Sequence, residues 1–149
     1  MKPLIVLVTA FIISAFILKF TRGQWDYQLA GRIAMAAMLV FTAIGHFVFI
    51  TGMAEIVPSF MPFKKELVVV TGVIEIIFAF ALLFPQYKVQ VGWLLIVFFI
   101  LILPANVKAS IHQINYQTGQ LNGPGTAYLW FRIPLQLFFI LWVYFTSIR

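Results

Sequence analysis

Residues 89–107 read Val-Gln-Val-Gly-Trp-Leu-Leu-Ile-Val-Phe-Phe-Ile-Leu-Ile-Leu-Pro-Ala-Asn-Val, uncharged throughout, with Lys88 before the run and Lys108 after it. A membrane-spanning helix needs roughly 20 predominantly apolar residues, and this stretch supplies them. The same pattern recurs on both sides of it. Pro3 to Leu18 carries no charge and is closed by Lys19 and Arg22. Ile33 to Ala54 is uncharged between Arg32 and Glu55. Leu67 to Phe84 has a single charge, Glu75, and stops at Pro85. Ala127 to Ile148 has a single charge, Arg132, and stops at Arg149. The pattern predicts five helices, near residues 3–20, 30–52, 66–84, 89–108 and 127–148, in an all-α integral membrane bundle forming one membrane domain over residues 1–149.

Composition points the same way. The chain of 149 residues is 63% hydrophobic and 9% charged, against about 45–50% and about 25% in soluble globular domains. The net charge of +6 does not mark a nucleic-acid partner, because the basic residues are scattered between apolar runs and form no patch. They read as anchors at the membrane boundary, as do Trp25, Tyr27, Tyr87, Trp93, Tyr128, Trp130 and Tyr144 near helix ends. With no cysteine, disulfides, thiol catalysis and thiolate metal sites are excluded, and no metal centre is expected. The first run has the basic start of a signal peptide in Lys2. It lacks a small-residue cleavage pattern before Lys19-Phe20-Thr21-Arg22, so a retained helix is the expectation. Five basic residues fall on each side of the predicted bundle: Lys2, Lys64, Lys65, Lys108 and Arg132 against Lys19, Arg22, Arg32, Lys88 and Arg149. The positive-inside rule therefore assigns no orientation.

Two connections differ from ordinary loops. Met53 to Lys65 is apolar but broken by Pro58 and Pro62, which suits a segment lying at the interface or dipping into the bundle. Lys108 to Gly125 opens with helical spacing at Val107, Ile111 and Ile114. It is expected to prolong the preceding helix until Gly123-Pro124-Gly125 turns the chain.

The polar residues of the spans gather in one half of the bundle. His46 lies near the end of the second run, Asn106 near the end of the fourth, and Arg132 and Gln136, four residues apart, on one face at the start of the fifth. Glu75 lies near the middle of the third run. An ionisable group at that depth costs about 3 kcal/mol or more and is expected to face inward and find a partner. Arg132 is the expected partner. The pair would either serve a site or merely lock two helices together. His46 follows Gly45, which leaves room for a close neighbour, although a lone histidine often only hydrogen-bonds the next helix. Pro104 and Pro134 free the carbonyls of Ile100 and Trp130 beside these polar groups. The candidate ligand site is thus His46, Glu75, Asn106, Arg132 and Gln136, capped by Glu55, Pro58 and Pro62.

These residues also carry a family resemblance. Gly45-His46-Phe47, Ile56-Val57-Pro58 with Met61-Pro62, Gly72-Val73-Ile74-Glu75-Ile76, Pro104-Ala105-Asn106 and Arg132-Ile133-Pro134-Leu135-Gln136 stand in an order that resembles the DoxX family of small bacterial membrane proteins. The resemblance spans about residues 30–147. It implies a four-helix core over 29–149, an extra amino-terminal helix and its connection over 1–28, and a bacterial inner-membrane location. Some DoxX proteins are similar to the DoxD subunit of thiosulfate:quinone oxidoreductase, and others are linked with oxidative stress or quinone detoxification. The implied role is a redox-associated component with no intrinsic cofactor. It would bind a quinone or another lipid-soluble molecule and act with a membrane or redox partner protein. A non-catalytic assembly subunit is the alternative. A small-solute or proton transporter is third, since no inverted repeat is visible.

Overall fold

A computed structural model describes residues 2–149. Its helices are α1 (Lys2–Arg22), α2 (Tyr27–Val48), α3 (Ile50–Ile56), α4 (Lys64–Ala81), α5 (Lys88–Ile111) and α6 (Leu129–Val143). A 3-10 turn (Thr126–Tyr128) leads into α6, and a π-helical turn (Tyr144–Ile148) prolongs it. There is no strand among the described residues. Four helical runs are long and apolar enough to cross a membrane: α1, α2, α5 and the stretch Thr126–Ile148. Their outer faces are left uncovered by protein, with Phe20 84%, Leu101 70% and Trp130 87% exposed. In water such a surface would be an aggregation liability, whereas lipid solvates it. The chain is built as a multi-pass membrane protein.

Helix α2 is the centre of the bundle. Its buried side is rich in small residues, Ala30, Gly31, Ala34, Ala36 and Ala43, which let neighbouring backbones approach closely. It packs lengthwise on α1 and α4 and also meets α6 and the π turn. Two side chains tie these contacts. Ser14 of α1 donates to the Ala10 carbonyl at 2.7 Å and lies 3.2 Å from that of Ala30. The Trp142 indole N–H donates to the Gly31 carbonyl at 3.1 Å.

The α1–α2 turn is set by local chemistry. Gly23 takes φ +71°, and its N–H closes α1 on the Lys19 carbonyl, a left-handed stop that favours glycine. The Asp26 carboxylate then accepts from the Leu29 N–H at 2.9 Å, capping α2. At the boundary Trp25 stacks on Tyr27, and the Lys19 ammonium sits 4.4 Å from the Trp25 ring.

The structure redraws several predicted boundaries. Asp26 starts α2 at Tyr27 instead of residue 30, and Arg32, expected as an anchor at the membrane boundary, is buried. The chain breaks at Phe49 and restarts as α3, where the sequence predicts one helix to residue 52. The change of direction lets Gly52 seat against the backbone of Tyr116 and Gln117. Helix α4 ends at Ala81, and the chain tightens through bonds from Leu83 N to Phe80 O and from Phe84 N to Ala81 O. Helix α5 stops at Ile111, well before Gly123. Gln113 enters the left-handed region (φ +52°), and Asn115 bonds the Gln117 N–H and starts a turn that competes with helix.

Helix α4 has 18 residues and carries Lys64, Lys65, Glu66 and Glu75, so it is the most heavily charged of the long helices. Its passage across the membrane is testable by single-cysteine labelling. Gly23→Cys and Tyr87→Cys should react from one side, and Lys65→Cys and Asn122→Cys from the other. Modification of Lys65→Cys and Tyr87→Cys from the same side would show that α4 does not cross.

Candidate functional site

Glu75 is the most deeply placed charge of α4. It is buried at 4% exposure, three residues after Gly72 and four after Thr71, hence on their face of the helix. That face meets α2. A Cβ on Gly72 would lie 2.8 Å from the His46 Cβ, so the glycine is what admits the histidine. His46 Nε2 comes 3.7 Å from Glu75 Oε2. Its Nδ1 lies 3.0 Å from both the Val68 carbonyl and the Thr71 hydroxyl. The Thr71 hydroxyl is within reach of the Leu67 and Val68 carbonyls. Two acceptors around Nδ1 favour a proton there, which directs Nε2 at the carboxyl group. One further proton, on Nε2 or on Glu75, leaves the pair electrically neutral. The Thr42 hydroxyl lies beside Glu75, but Oε2 itself has no hydrogen-bond partner among the described residues.

Arg132 is not the partner of Glu75. Its Nη2 donates to Asn106 Oδ1 at 3.2 Å, and the Tyr128 side chain lies beside it. The cause is the bundle order. No Cα of α4 lies within 8 Å of one in α6, so Glu75 meets α2 while Arg132 meets α5. Gln136 is buried and donates to the Phe99 carbonyl at 2.7 Å, and the Asn106 amide donates to Ile102. The carbonyls engaged near Pro104 are therefore those of Phe99 and Ile102, not Ile100. The five candidate residues form two sets: His46 with Glu75 between α2 and α4, and Asn106, Arg132 and Gln136 between α5 and α6.

The segment expected as a cap is α3 with the turn after it. Lys108 at the end of α5 donates to the carbonyls of Glu55 and Val57, at 2.9 and 2.6 Å. A cation there satisfies the open carbonyl end of α3. Pro58 is half-buried, while Pro62 and the Glu55 side chain are exposed. Gly45 has only Met53 Cε near its missing Cβ, at 3.6 Å. The close approach expected there belongs to Gly72.

Sequence reasoning passed over Thr42, Thr71 and Gly72. A usable signal existed, since Thr42 precedes His46 by four residues and Thr71 precedes Glu75 by four. Each polar pair shares a helix face.

Residues 35–147 match the family described as a domain of unknown function, DUF8561. The chain belongs to the DUF8561 family. The matched region opens inside α2 and contains every candidate site residue, while α1 and Arg32 precede it. No curated protein and no solved structure matches the chain.

Proposed function

We propose that this membrane protein binds a lipid-soluble small molecule bearing hydrogen-bonding oxygens, with a quinone as the fitting class. It would do so in the half of the bundle that holds His46, Glu75, Asn106, Arg132 and Gln136. In this reading α4 is the fifth span, the His46–Glu75 pair exchanges a proton with the ligand, and Arg132 orients one of its oxygens. The protein is a redox-associated component of a bacterial inner membrane, working with a membrane partner. The DoxX resemblance supports that class and, with it, a four-helix core after an extra first helix.

One observation carries the proposal. Glu75 Oε2 is buried without a hydrogen-bond partner among the described residues and faces His46 Nε2 at 3.7 Å. A buried carboxyl oxygen left unmatched is costly. A ligand hydroxyl approaching Oε2 would relieve it, and a proton can pass between Glu75 and His46 without changing the net charge of the pair. A second reading, an assembly subunit without a ligand, draws on the bonds of Gln136 to Phe99 and of Arg132 to Asn106. These spend the polar groups of α5 and α6 on holding the helices together.

Protein purified in mild detergent tests the two. Its lipid extract is analysed for quinones by mass spectrometry, and a short-chain quinone is titrated against tryptophan fluorescence. The expected result is co-purifying quinone and saturable binding that Glu75→Gln weakens by about tenfold or more while the bundle stays folded. Folded wild-type protein that neither carries nor binds quinone would overturn the ligand reading in favour of assembly.

A further inference from the structure

The opposite end of the bundle holds a second set of unmatched polar groups, independent of the His46–Glu75 pair. Arg32 is 6% exposed and Ser147 1% exposed. Arg32 Nε and Nη1 and Ser147 Oγ are all buried without a hydrogen-bond partner among the described residues. The two residues flank one contact. Gly31 seats against the Thr146 side chain and receives the Trp142 indole bond, and Arg32 and Ser147 are the next residues along the two elements. Ser147 belongs to the π turn, which Arg149 N closes on Tyr144 O at 3.0 Å, and its Cβ sits 3.2 Å from where a Gly92 Cβ would be. Such turns interrupt regular helix and recur at functional sites.

A guanidinium is always charged, and burying it without a counter-charge is expensive. Among the described residues no ion pair joins Arg32 to an acid. The chain has four. Asp26 caps α2 and lies 4.0 Å from Arg22. Glu75 faces His46. Glu55 and Glu66 are exposed at the other end, beyond α2 and at the start of α4. An anion from another molecule would supply the missing charge. Arg32 lies five residues into α2, about 7–8 Å along its axis, which matches the depth of the headgroup–acyl boundary. Helical side chains lean toward the amino terminus, so Arg32 leans toward Gln28, one turn earlier on the same face. Gln28 lines an open concavity of about 430 Å³ with Arg22, Gln24, Trp25, Asp26 and Tyr27.

We propose that Arg32, with the Ser147 hydroxyl, is a binding site for a phosphate group at the membrane surface, supplied by an anionic phospholipid or by a free phosphate. The guanidinium offers Nε–H on one edge and Nη1–H on another, both unmatched among the described residues, as charge-assisted donors to phosphate oxygens, and Ser147 adds a neutral donor from the π turn. The phosphate would thereby bridge the first turns of α2 and the last turn of the chain.

Native mass spectrometry and thermal unfolding of the full chain in detergent test this, with added phosphatidylglycerol, phosphatidylcholine or inorganic phosphate. Phosphatidylglycerol, but not phosphatidylcholine, should be retained and should raise the Tm. Inorganic phosphate raising the Tm as much as phosphatidylglycerol would assign the site to a free phosphate. Arg32→Gln should weaken retention by about tenfold, and Ser147→Ala by a smaller factor. Glu75→Gln should leave retention unchanged, which separates this site from the quinone proposal. If Arg32→Gln fails to fold, Arg32→Lys and Ser147→Ala carry the test, since Lys keeps the charge but loses the Nε–H and Nη1–H donors. Equal retention of the two lipids with no effect of phosphate would overturn the proposal. So would an Arg32→Gln variant that is as stable as wild type and keeps its phosphatidylglycerol.

Discussion

His46→Leu should destabilise the bundle by about 3 kcal/mol, the cost of stranding one member of a buried pair. Glu75→Leu should cost less, about 1 kcal/mol. The asymmetry follows from the bonds each residue keeps. Without Glu75, the imidazole retains the Val68 carbonyl and the Thr71 hydroxyl. Without His46, Glu75 Oε2 faces no donor at all. The double variant should lie close to Glu75→Leu alone, a coupling of about 3 kcal/mol. Reversible unfolding in mixed micelles measures all four proteins. Equal costs for the two single changes, or simple additivity, would show that the 3.7 Å approach carries no energy.

Gly52→Ala should be nearly as damaging, at about 3 kcal/mol for a methyl forced against atoms that cannot rotate away. The new Cβ would collide with the Tyr116 carbonyl oxygen and sit 2.7 and 3.0 Å from the carbonyl carbons of Tyr116 and Gln117. These are backbone atoms, so the loop between α5 and α6 must lift as a unit. Gly119, whose missing Cβ lies 3.6 Å from Gly52 Cα, would lose its seat with it. Hydrogen exchange should accelerate across residues 112–125 and α3 while α1 and α2 keep their protection. Gly45→Ala is the control, because its nearest neighbour is a flexible methionine methyl at 3.6 Å. Protection of the loop unchanged by Gly52→Ala would mean that α3 and the loop are not in firm contact.

Four of the five predicted spans were legible because their apolar runs end at charges or a proline, and lipid makes that pattern steep. Helix ends were less so. Asp26 is an ordinary capping residue within a stretch that reads as a connection, so α2 starts three residues before the predicted boundary. The break at Phe49 has no local signal at all. It exists because Gly52 must meet a backbone more than sixty residues further on, which only tertiary structure reveals. The site was half legible. The intramembrane charge rule identifies Glu75 and requires a partner, but it ranks partners by charge, and so it selected Arg132. Which helices are neighbours decides instead, and a sequence pattern does not contain that order. Gly72 held the clue, since a glycine three residues before a buried acid marks the face where another helix comes close.

The central place of α2 has a consequence for biogenesis. Helix α4, with four charged residues, is the long helix whose own sequence is least sufficient to leave the translocation channel for lipid. It is also made after α2, whose small-residue face and His46 are by then already in the bilayer. Should α4 cross the membrane, it would emerge only after the helix it packs on lengthwise. Swapping the order of these two helices would reverse that order of arrival.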